Sequence, residues 1–227
     1  MMKIPLYLFL LFTLFACDKA SEPKNGINPE LKKELAKIRF KDQAIRLMTD
    51  KTSNDTINRL AKLTGFDPVY LKNNYKSVMV QIDSENQKRI EEIIAKHSYP
   101  GKNQVGTPEN ETAWLIIQHS DPKMIEKYLP MLREAAQKGD ISKQSLALTE
   151  DRNLMYHGKN QIYGSQSATV EGKTIIWPIQ DPKNVNELRK EAGFLQTVEE
   201  YAKMVHGKDF NYEVFSLEDI GLKAENK

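Results

Sequence analysis

The stretch IYGSQSATVEGKTIIWPI, residues 162–179, is where the period of the sequence changes. Elsewhere the apolar residues recur at steps of three, four and seven, the signature of helices with one buried face. Here they begin to alternate. Ile162 to Val170 and Thr174 to Ile179 flank Glu171-Gly172-Lys173, which predicts a β-hairpin whose glycine supplies a positive φ. The expected fold class is therefore mainly α (α+β): a single helical domain with one C-terminal β-hairpin.

Outward from the hairpin, helices are predicted on both sides. Asn28-Pro29-Glu30 opens the first, and Leu31, Leu35, Ile38, Ile45 and Met48 form its apolar stripe. Ser53 or Asn54 caps a second helix that ends at Gly65. Residues 68–82 are ambiguous: Val78 to Ile82 reads as a strand or as part of a helix. Asp83 then reads as the cap of a helix carrying Ile90, Ile93, Ile94 and His97. After a Gly- and Pro-rich loop come a short apolar helix around Trp114, a helix from Asp121-Pro122 that Pro130 should kink or split, and one capped by Ser142. Asp181-Pro182 starts a helix beyond the hairpin, and Thr197-Val198-Glu199-Glu200 is a capping box that opens the last. The compact part is expected to span 29–206, with a polar C-terminal tail at 207–227.

The chain has 227 residues, a formal net charge of +2 and a single cysteine. One cysteine excludes an intramolecular disulfide framework and a multi-thiolate zinc site. Thirty-three basic against thirty-one acidic residues exclude a strongly basic grip, so no nucleic-acid partner is expected. Ile4 to Phe15 is an apolar run too short to span a bilayer, and it fits the h-region of a signal peptide. Leu14-Phe15-Ala16-Cys17 follows and resembles the lipobox of bacterial lipoproteins. That resemblance implies cleavage after residue 16, lipidation of Cys17, a lipidated tether over 17–28, and a folded domain held outside the cytoplasm on a membrane of the cell envelope. Acyl chains, at roughly 0.8 kcal/mol per buried methylene, anchor stably when two or more are present.

The informative polar groups are those on apolar faces, because a buried charge must be paired or it neutralises. Asp42 lies on the first helix's stripe, with Arg46 one turn on. Asp151 recurs in the same way beside Arg152. Gln118-His119 follows the apolar Trp114-Leu115-Ile116-Ile117 and should enter the interior or line a cleft. Gln161, Tyr163 and Gln166 make the hairpin approach rich in hydrogen-bonding groups, with Gly164 allowing close contact. Each also has a plain structural reading: surface ion pairs, a satisfied core histidine, a hairpin built for its own sake. No strand–Gly-rich turn–helix unit, nucleophile elbow, zinc-protease motif or EF-hand loop is present, and no metal site or cofactor is expected.

Taken jointly, these motifs resemble an uncharacterised bacterial family of domains of unknown function. The resemblance rests on Asp42-Gln43-x-x-Arg46, Asp83-x-x-Asn86-x-x-Arg89, Tyr99-Pro100-Gly101, the apolar helix ending Gln118-His119-x-Asp121, Asp151-Arg152, and Gln161-x-Tyr163-Gly164-Ser165-Gln166. It covers roughly residues 31–201. The chain departs from the pattern in having Tyr99 where a tryptophan is expected, and in an extra stretch near 65–82. The family carries no assigned reaction, so the resemblance implies kinship and not chemistry.

Three functions stay open at this point. The first is a membrane-anchored module binding a small polar ligand or peptide in a cleft lined by Gln43, Arg46, Gln118, Arg152, Gln161, Tyr163 and Gln166. The second is a hydrolase or transferase in which His119 is the general base. Asp151 or Asp42 would orient it, and Arg46 or Arg152 would stabilise a developing anion. The third is a structural envelope lipoprotein whose buried polar groups fix the fold. Either site reading requires the separate motif segments to converge.

Overall fold

The computed structural model describes residues 26–49 and 51–222. The expected signal peptide, Cys17 and most of the expected tether lie outside the described residues. Within them the chain forms nine α-helices and one two-stranded antiparallel sheet.

Helix α1 (Pro29–Arg46) begins as its sequence dictates, with the Asn28 side chain accepting from the Leu31 amide. Its stripe is buried from Leu31 through Met48, and Leu35 and Ile45 are wholly inaccessible. Burying such a side chain contributes about 1.5–3 kcal/mol, so this face ties α1 into the core. Helix α2 (Asn54–Thr64) is capped by Ser53 and ends at Gly65 in the left-handed region.

The ambiguous segment is helical. Helix α3 (Pro68–His97) is continuous except at Asn74, whose backbone leaves helical geometry while its side chain donates to the Tyr70 carbonyl. Leu71, Val78 and Ile82 are buried at steps of seven and four, which is helical spacing, so the strand alternative falls. Asp83 consequently lies inside α3 and caps nothing.

The short helix α4 (Lys102–Val105) and a 3₁₀ turn at Glu109–Glu111 lead into α5 (Thr112–Gln118), every residue of which is buried. Helix α6 (Pro122–Gln137) runs through the exposed Pro130 without interruption, contrary to the expected split. Helix α7 (Lys143–Tyr156) starts at the Ser142 cap. The hairpin is shorter than its alternation suggested: β1 (Ser167–Val170) pairs with β2 (Lys173–Ile176), joined by Glu171 and Gly172, both with positive φ. Residues 161–166 form an irregular segment that touches Ile179 through one bridge at Gln161.

After the hairpin a turn delays α8 to Val185–Glu191, and α9 (Val198–His206) carries the expected capping box of Thr197 and Glu200. Phe210 and Tyr212 then pack against Ile176, Val185 and Val198, so the chain beyond α9 still contributes to this layer.

Helix α1 is central. It packs against α2, α3 and α5, and α5 in turn packs against α6 and α7. Two apolar clusters meet along it: one joins α1, α3, α5 and α6, and the other joins the last turns of α1 to α2 and the first half of α3. This arrangement brings the last turns of α1 against the C-terminal end of α5, and so Asp42 against His119.

Candidate functional site

The Asp42 side chain is fully buried on α1 and sits on the apolar stripe that its spacing indicated. Its carboxylate accepts from three side chains. Oδ1 receives His119 Nδ1 at 3.0 Å and Arg46 Nη1 at 2.9 Å, and Oδ2 receives Gln43 Nε2 at 2.7 Å. Arg46 reaches onward with Nη2 to Asp83 Oδ1 at 2.9 Å. Burial raises the Asp83 carboxyl above the ordinary aspartate range, against the pull of Arg46.

His119 terminates α5, where three helical carbonyls accept its backbone amide. Its side chain keeps 21% of its surface, as does Arg46, while Asp42 keeps none. In the neutral ring, Nδ1–H donates to the carboxylate, and Nε2 has no partner among the described residues. The cluster is thus a buried anion holding two partly exposed groups in fixed orientation.

Arg152 approaches from α7. Its Nη1 donates to the carbonyl of Gln118, the residue before His119, and its Nε donates to Gln166 Oε1 at 2.9 Å. No carboxylate of the described residues pairs with it. Burial and the nearby Arg46 cation both lower its affinity for the proton, with burial the larger effect. Gln118 and Gln166 each present an amide to the Leu148 carbonyl at 3.4 Å, and Gln118 Oε1 is buried without a partner. Four of the motif segments therefore converge: the end of α1, the end of α5, α7, and the approach to the hairpin.

Asp151, adjacent to Arg152, belongs to a different construction. Its buried carboxylate accepts only from the irregular segment: Ile162 N at 2.7 Å, Tyr163 N at 3.0 Å and Ser165 N at 3.0 Å. Burial still raises its carboxyl, with these donors pulling the other way. Gln161, also inaccessible, donates to the carbonyls of Gln166 and Trp177 and accepts from the Gln166 amide. Gly164 makes the segment possible: its φ is +66°, and a Cβ there would lie 2.6 Å from Val198 Cγ2. Asp151 and Gln161 thus hold backbone, and it is Asp42 that orients His119. Gln166 joins the two constructions through its bonds to Arg152 and to Ser165 Oγ.

Arg189 is a residue that the sequence reading passed over. It is 1% exposed, donates to the carbonyls of Tyr163 and Gln196, and stacks on Phe194 and Tyr201 with its guanidinium carbon 4.2 and 4.9 Å from their centroids. The signal was present, since Arg189 falls four residues after Val185 and three before Ala192, on the apolar stripe of α8.

Four surface clefts of 360 to 490 Å³ open away from this cluster. Tyr163 lines one of them, with Arg133, Lys143 and Glu150; Arg46, His119 and Arg152 line none of the four. Among the described residues, no group of three His, Cys, Asp or Glu side chains is placed to hold a metal ion, and no helix is long and apolar enough to cross a membrane.

Fold and site together define a mainly helical domain with a carboxylate-held histidine and arginine at the junction of α1, α5 and α7. The match to a family model gives the kinship: residues 29–212 match the family of unknown function DUF6624, and the chain belongs to that family. No curated protein and no solved structure shows significant similarity to the chain.

Proposed function

We propose that this domain binds a small polar ligand at the cluster of Arg46, His119 and Arg152, and that it does so as a bacterial lipoprotein anchored through Cys17. One observation carries the binding reading. A fully buried Asp42 commits its carboxylate to fixing Arg46 and the Nδ1 side of His119, which leaves Nε2 of this partly exposed ring without a partner among the described residues. A histidine serving only the fold is expected to have both nitrogens satisfied or solvated at no cost to the core. Here a buried charge is committed to orienting one edge of the ring. Asp151 and Gln161 enter this reading as supports that shape the segment beside Arg152.

The test is a ligand screen by thermal shift on the full chain in detergent. A ligand that stabilises the wild type, and no longer does so in His119→Ala and Arg152→Ala, locates binding here. Hits that stabilise all three proteins equally would remove the site from this cluster.

The same dyad favours a second reading, a hydrolase or transferase. His119 Nε2 would take a proton from water or an acceptor hydroxyl, Asp42 would stabilise the resulting imidazolium, and Arg152 would face the developing anion. Turnover of the stabilising ligand, lost in His119→Ala, separates enzyme from binder.

Anchoring rests on Leu14-Phe15-Ala16-Cys17 at the end of the apolar run. Cys17→Ser is expected to abolish incorporation of labelled palmitate and to move the protein out of the membrane fraction. Unchanged labelling would refute lipidation at that residue.

A further inference from the structure

The identity of the ligand group can be taken further, on the reading that this cluster binds a ligand at all. Charges in the cluster are paired except one. Arg46 is committed on both sides, to Asp42 and to Asp83. Asp42 is committed to three donors. Arg152 alone has neutral partners only, the Gln118 carbonyl and the Gln166 amide oxygen, and its Nη2 has no acceptor among the described residues.

A partly buried guanidinium without an anion is costly, because desolvation is not offset by an opposite charge. The fold has another way to hold such a cation: Arg189 lies against the faces of Phe194 and Tyr201, two rings that meet edge to face. Arg152 has no such ring stacking among the described residues, and the Arg46 cation adds repulsion. Its planar fork suits two oxygens of one group. Arg46, His119 and Arg152 line none of the four clefts described above, so what this cluster offers a ligand is the edge of its own polar groups.

We propose that the ligand carries an oxyanion, a carboxylate or a phosphate, that seats on the open edge of Arg152 beside Nε2 of His119. Asp42 and Gln166 position the two side chains, and Arg152 supplies the missing half of an ion pair.

The experiment follows the Arg152 Nε–H and His119 ring resonances by NMR on the full chain in neutral detergent. The probes are inorganic phosphate and acetate, each against its uncharged counterpart, trimethyl phosphate and acetamide, at constant ionic strength. Saturable shifts of both resonances with at least one anion, and with neither neutral probe, are expected. Arg152→Lys should weaken that binding about tenfold by losing the two-pronged contact, and Arg152→Gln should abolish the His119 response. Adding phosphatidylglycerol to the micelles distinguishes sources: the same shifts there assign the oxyanion to a lipid headgroup, and their absence assigns it to a soluble ligand. The absence of a saturable shift with both anions overturns the proposal, as does a His119 response that survives in Arg152→Gln. If the neutral probes alone move His119 saturably, the oxyanion is wrong while binding at the cluster stands. Ligands that bind without moving either resonance would remove the cluster itself.

Discussion

Asp42 and Asp151 are both carboxylates sunk in an apolar face, yet they are satisfied in opposite ways. Asp42 is held by side chains, and Asp151 by the amides of Ile162, Tyr163 and Ser165. A carboxylate that organises backbone is hard to replace. Asp151→Asn turns one acceptor into a donor facing amides, and it should cost about 3 kcal/mol in urea unfolding. Asp42 instead sets a tautomer. Nitrogen-15 NMR of His119 in its neutral form is expected to show the proton on Nδ1, and a proton on Nε2 would break the proposed pairing. Asp83 adds a pH dependence. Its carboxyl is raised by burial, so the stability it lends is full below the ordinary aspartate pKa and is lost as pH rises through the raised value. The stability of wild type relative to Asp83→Asn should therefore fall as pH rises above the ordinary aspartate pKa of about 3.9. A gain in stability with rising pH would reverse the assignment.

The elements were legible wherever periodicity and caps agreed. Asn28, Ser53, Asp121, Ser142 and Thr197 all cap the helices that their positions suggested. The misreadings have local causes. An aspartate before an apolar run imitates a cap, but Asp83 sits mid-helix and accepts from Arg46 on α1, a contact 37 residues away that local spacing cannot show. The alternation through 161–166 imitates a strand, but Asp151 draws the amides of that segment away from any ladder. Gly164 belongs to this scale as well. Gly164→Ala forces a positive φ on a residue with a Cβ and drives that atom to 2.6 and 2.8 Å from Val198 and Ile179. A loss of about 2–4 kcal/mol is expected by thermal unfolding, and a loss below about 1 kcal/mol would mean that α9 can withdraw from the segment.

At the scale of the whole molecule, polar groups singled out by spacing are ones that the fold brings together, but beyond the local Asp42–Arg46 pair the sequence does not show who meets whom. Asp42, His119 and Arg152 each stood out alone, but that α1 lies against α5 and that Arg152 bonds the Gln118 carbonyl depends on long-range packing. Which aspartate orients the histidine was open in the sequence for the same reason. The domain that results has two polar constructions joined at Gln166, one binding backbone together and one turned partly to solvent. The central claim is that the second serves a ligand and the first serves the fold. Its most direct test is the unfolding free energy of His119→Ala measured beside that of Asp151→Asn, without ligand. Asp42 keeps Arg46 and Gln43 when His119 is removed, so His119→Ala should stay within about 1 kcal/mol of wild type while Asp151→Asn falls by about 3 kcal/mol. A His119→Ala protein destabilised as deeply as Asp151→Asn would contradict the account and make the whole network structural.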